Sequence, residues 1–210
     1  AGTAWDAIHL ACADLMICHK SGGKRLGNLA LHSNTCVNAL HYVFRSISDP
    51  GTRLLTLFQA VTVAVEFRLD EKSRDFLRDT SVVNIHAEKI QNAEQTIRDI
   101  FEAIPPRVIQ KEHDDRSGQD KAAKLSFSFV KQFPNSPALL SAARQIMCRK
   151  LNTNAHEMKF PIAMFEDMNY VSATWRPHMM AATVVYMQGT NSKNNPAVAR
   201  GIAESEKQFS

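Results

Sequence analysis

Apolar positions recur every three or four residues along almost the whole chain, the spacing that stacks side chains on one face of an α-helix. Trp5, Ile8, Cys12, Leu15 and Met16 mark a first helix that begins near Thr3 and Asp6, a capping-box-like start, and runs to His19 before Gly22 and Gly23 end it. After a loop of small and basic residues, Ser33, Asn34 and Thr35 offer N-cap oxygens to a second helix, with Cys36, Leu40, Val43, Phe44 and Ile47 on its apolar side. Ser48-Asp49-Pro50-Gly51 then reads as a turn, because Pro50 presets its own φ and Gly51 accepts a positive one.

The stretch 52–69, TRLLTLFQAVTVAVEFRL, is apolar around most of its circumference, which predicts a helix at the centre of a bundle. Its β-branched run from Val61 to Val65 argues for a strand, but the length and the lack of turn residues favour helix. From Ser73 to about Ile104 the pattern is amphipathic, carried by Phe76, Leu77, Ile85, Ile90, Ile97, Ile100 and Phe101, until Pro105-Pro106 stops it. The charged residues 105–118 read as an exposed connection, and further helices are predicted over 119–133, 136–151, 155–168, 177–188 and 196–208. No repeat of a solenoid period is visible. The expectation is an all-α bundle of about eight helices forming one domain over 1–210.

Composition narrows the function classes. The chain has 210 residues and 44% hydrophobic content, so it can bury about 70% of its unfolded surface in a sizeable core. Its 25 basic and 21 acidic residues are dispersed, so no basic face argues for nucleic acid. Cys12, Cys18, Cys36 and Cys148 form no CxxC pair and read as free thiols in a reducing, cytoplasmic setting. No apolar run is long enough to span a membrane, and the chain opens in a helix pattern without a signal layout or an initiator Met, as a processed product or a fragment would.

Candidate chemistry lies in polar residues on apolar faces. Glu66, one heptad after Gln59, has two readings: paired or reaching water, or an acid/base or ligand facing an internal cavity. Asp6 and His9 are three apart on one helix face, a spacing that serves di-iron bundles only when it occurs twice, which it does not here. His32 precedes the second helix and His41 lies near its buried stripe. Each can be a satisfied core histidine, or His9, His32 and His41 can converge as a transition-metal site, with iron one candidate. In this reading His41, Glu66 and His32 are the catalytic candidates.

A second cluster, HEMKFPIAMFEDMNYVSATWRPHMMAA, interleaves His156, Lys159, Glu166, Asp167, Tyr170, Trp175, Arg176 and His178 with Phe and Met, as a substrate-pocket lining would. The competing view is an ordinary helix-loop-helix with solvated charges. GxSxG, P-loop and GxGxxG signatures are missing, which removes the usual hydrolase, kinase and dinucleotide readings.

The segments LHSNTCVNALHYVFR and LLTLFQAVTVAVEFR, within residues 29–68, resemble the questin oxidase-like family. That resemblance implies an oxygen-dependent oxidation of an aromatic or other hydrophobic small molecule, and it transfers no set of catalytic residues. Three readings follow: an oxidoreductase or oxygenase with a histidine-lined, metal-assisted pocket; a non-catalytic helical interaction or structural module, with a partner chain or as a homo-oligomer; and a carrier for a small apolar ligand.

Overall fold

The computed structural model describes residues 2–20, 28–106 and 115–208, and among these it is all-α. The helices are α1 (Gly2–Cys18), α2 (Asn28–Ser46), α3 (Pro50–Ser73), α4 (Ala93–Ala103), α5 (Ser117–Gln132), α6 (Ala138–Arg149), α7 (His156–Asp167), α8 (Arg176–Val185) and α9 (Pro196–Gln208). Most of the predicted 105–118 connection, and the glycines expected to end the first helix, lie outside the described residues. No described helix is long and apolar enough to cross a membrane.

The central helices are α1 and α8. Every residue of α1 from Cys12 to Cys18 is buried, as is all of α8 from Met179 to Val185. α1 packs against α2, α3 and α8, while α8 in turn lies along α5. The larger core gathers Leu15, Met16, Ile100, Phe129, Phe160, Met164 and Met179; a smaller one joins Trp5, Ile8, Cys12, Val37, Phe44, Ala60 and Ala64 where α1, α2 and α3 meet.

The expected central position of 52–69 is overturned. α3 lies at the periphery with Thr56, Ala60, Ala64 and Glu71 turned inward and Leu57, Val63 and Phe67 part-buried against the cores, while Leu54, Leu55, Phe58, Val61, Val65 and Leu69 face outward. The apolar circumference is real, but small residues on the inner face let α3 sit close to α2 with half of its large side chains left uncovered. Glu66 is consequently exposed and reaches water.

Two boundaries also differ from the sequence pattern. α2 starts at Asn28, so Ser33, Asn34 and Thr35 lie inside the helix and do not cap it. Asn34 Nδ2 donates instead to the carbonyls of Cys12 and Ala30 at 2.9 and 2.8 Å, tying α2 to α1. Residues 74–92 are not helical apart from one 3-10 turn at Val82–Asn84. Asp49 caps the start of α3, and Asp75 ends it in the left-handed region at φ 57°. The backbone donors that follow go to neighbouring elements: Arg78 N to Cys18 O at 2.6 Å, Val82 N to Asp14 Oδ1 at 2.7 Å, and Ile90 N to Gln132 Oε1 at 3.1 Å. A strap with its N–H groups satisfied laterally has no need of a helix.

Candidate metal centre

α1, α2 and α7 each contribute one polar side chain to a buried point between them. His9 is on the third turn of α1, His41 on the inner side of α2, and Asp167 at the last residue of α7, with 2%, 6% and 1% of their surfaces exposed. His9 Nε2 lies 2.8 Å from His41 Nδ1, and His9 Nδ1 lies 3.3 Å from Asp167 Oδ2. One ligand atom from each residue falls within 4.8 Å of the others, and this is the group of three or more potential ligands found among the described residues. Donor atoms each about 2.1 Å from a common ion in cis positions stand about 3 Å apart, close to the nitrogen–nitrogen separation here.

The surroundings fix the donors. Trp5 stacks on His41 with ring centroids 4.2 Å apart and planes 9° apart, while Phe44 and Tyr170 approach the same ring at 6.4 and 5.6 Å. Asn38 Nδ2 donates to Asp167 Oδ1 at 2.9 Å and to Glu166 Oε2 at 3.3 Å. Arg45 bonds Glu166 Oε1 at 3.4 Å and lies 3.5 Å over the Tyr170 ring, so the outer side of the cluster is closed by a cation and a phenol.

Asp167 Oδ2, like both carboxylate oxygens of Glu71, is buried and forms no hydrogen bond; its 3.3 Å approach to His9 Nδ1 is an ion-pair contact. A carboxylate oxygen held dry with an unused lone pair calls for a cation or a proton. Burial, reinforced by the adjacent His9 and opposed mainly by Asp167, pulls the His41 imidazole down to about 4. His41 is therefore neutral at pH 7, the form a metal requires.

Of the three histidines expected to converge, the structure brings His9 and His41 together and leaves His32 apart from them. His32 and His41 are nine residues apart within one helix, which turns them about 180° from each other. His32 instead meets His156 edge-on at 5.0 Å, both half-buried, and burial with the nearby His32 lowers the His156 pKa. Asp6 turns from His9 and accepts from Ser172 N at 2.9 Å and from the Ser172 hydroxyl. Glu166 borders the centre through Asn38, whereas Trp175 and His178, 5.2 Å apart, stand elsewhere. His178 helps line a cavity of about 280 Å³ with Phe127, Val130, Lys131 and Pro177. Arg176 is half-buried at the start of α8.

Trp5 and Asn38 are not singled out as site residues by the sequence, and Asp167 is placed by it in the substrate-pocket cluster and not with His9 and His41. Asp167 did carry a signal: Phe160, Ala163, Met164 and Asp167 follow the i, i+3, i+4, i+7 spacing of a buried face. A carboxylate at the fourth of those positions is buried by register alone. No protein family, curated protein or solved structure matches the chain, and the geometry of this centre therefore carries the functional argument.

Proposed function

We propose that the chain is an oxidoreductase of the oxygenase type, acting on a hydrophobic or aromatic small molecule at an iron(II) ion held by His9, His41 and Asp167. The carrying observation is the buried set of two imidazoles and one carboxylate whose Oδ2 has no hydrogen-bond partner. Two histidines and one carboxylate with open positions are the donor set of mononuclear non-haem iron sites. The bound ion supplies one-electron chemistry with dioxygen as the oxidant.

The protein's own contribution is positioning and charge. Asp167 offsets part of the ion's charge in a dry site, and Asn38 holds its other oxygen so that Oδ2 stays aimed inward. Trp5 fixes the plane of His41 by stacking. Trp5, Phe44 and Tyr170 supply the apolar walls that favour a hydrophobic or aromatic substrate over a charged one.

A second reading is favoured by the 2.8 Å His9–His41 contact, which already satisfies one nitrogen of each ring without an ion. In that reading the cluster is a polar lock inside a non-catalytic helical module. Anaerobic reconstitution of the chelator-stripped protein separates the two. The oxygenase reading expects one iron per chain, loss of that iron in Asp167→Asn, and dioxygen uptake with an aromatic substrate. A protein that takes up no iron, nickel or zinc, and whose melting temperature ignores all three, leaves only the lock.

A further inference from the structure

α3 is apolar on both of its sides. Successive residues of a helix are 100° apart, so Leu54, Phe58, Val61, Val65 and Leu69 share an arc of about 80°. They are 50%, 58%, 44%, 50% and 60% exposed, and Leu55 beside them is 68% exposed. The opposite side, against the cores, holds buried Thr56, Ala60, Ala64 and Glu71 with part-buried Leu57, Val63 and Phe67. A surface helix normally has one such apolar side, not two.

These six residues together expose on the order of 600 Å², the upper end of the largest patch on an ordinary monomer and most of the surface one partner contributes to a standard interface. The stripe is also nearly symmetric about its middle. Turning one copy of α3 over about a two-fold axis between Val61 and Thr62 sets Leu54 against Leu69 and Phe58 against Val65, with the two Val61 side chains one residue apart at the centre. Antiparallel helices also oppose their dipoles favourably. Apolar side chains meeting apolar ones across a two-fold axis are what an isologous interface requires.

We propose that this face is the self-association surface of the protein, through which two copies pair with their α3 helices antiparallel. The inference is independent of the metal centre, since no residue of the stripe touches His9, His41 or Asp167 in any contact given above.

Size exclusion with light scattering on the full chain tests it. The wild type is expected at twice 23.5 kDa and Phe58→Glu at the monomer mass. Both positions of the stripe tested, Phe58 and Val65, are exposed, so Phe58→Glu and Val65→Glu should keep the wild-type helical circular dichroism. A wild type that remains monomeric at about 100 μM overturns the proposal, whatever else is found to cover the stripe. So does a dimer that survives both glutamate substitutions.

Discussion

The middle of α1 and the residue just past its end repeat one contact with different outcomes. In the middle His9 lies 3.3 Å from the carboxylate of Asp167; past the end, His19 Nε2 lies 3.3 Å from Glu71 Oε2, with all four side chains at most 2% exposed. Around His9 the remaining neighbours are side chains on α2, so a second imidazole completes a three-donor set. Around His19 the neighbours are the frayed end of α1 and the strap of residues 76–78. Arg116 Nη1 is placed there, donating to Met16 O at 3.1 Å and to His19 O, with Ile17 O also in reach at 3.4 Å. A guanidinium beside the pair repels a metal ion and satisfies helix-end carbonyls. A buried histidine–carboxylate contact is thus a candidate centre only where the third partner is another donor.

The sharpest way to break this comparison is to remove each carboxylate in turn. Asp167→Asn is expected to lower iron or zinc affinity by about 1,000-fold, roughly 4 kcal/mol, as one of three charged or neutral ligands is lost. Glu71→Gln should leave that affinity unchanged while altering stability, because the Glu71 contact belongs to the helix-end network. Competition titration against a chromogenic chelator reads both. Equal losses in the two variants would erase the distinction between the two contacts.

Acid separates the regions next. The folded pKa of His41, about 4, lies below its ordinary value of 6.5, so the unfolded chain takes up a proton that the folded metal-free chain refuses. Stability is then full above about pH 6.5 and is lost as pH falls toward 4, by up to about 3 kcal/mol. Denaturant titrations of chelated protein at pH 7 and pH 4.5 should show this loss, and His41→Phe should flatten it. At the His19 contact, Arg116→Met is expected to cost about 2 kcal/mol at any pH in this range. It strands the carbonyls of Met16, Ile17 and His19 in a buried site. A melting curve that does not move would show that water takes over those carbonyls.

Much of this was legible in the chain, unevenly. Helices α5 to α9 match their periodic patterns to within a few residues because each has one apolar face and one proline or polar start. α3 was misread in orientation because hydrophobicity counts apolar residues without saying which of them are covered; only tertiary packing puts Ala60 and Ala64 inside and Leu55 outside. The strap at 74–92 carried helical spacing, yet its donors are claimed by Asp14, Ser128 and Gln132 from other elements, which no local pattern reveals. At the metal centre, nine residues between His32 and His41 already forbade a shared face once both were inside α2. Asp167 was readable from the register of α7, but its open lone pair was not.

The smallest expected effect tests whether the centre is held or merely crowded. Asn38 touches no proposed ion; it donates to Asp167 Oδ1 at 2.9 Å and bridges to Glu166, itself bonded to Arg45 above Tyr170. Asn38→Ala frees the carboxylate to rotate and leaves its Oδ1 without that donor. Metal affinity should fall about tenfold, near 1.4 kcal/mol, the magnitude usual for a residue that orients a ligand from behind. Asn38→Asp should be worse than Asn38→Ala, because a second carboxylate 2.9 Å from the first repels it and forces one of the two to take a proton. Were the centre only a polar lock, the order would be set by packing, and the alanine, which leaves the larger void, would be the more damaging of the two in thermal melts without metal.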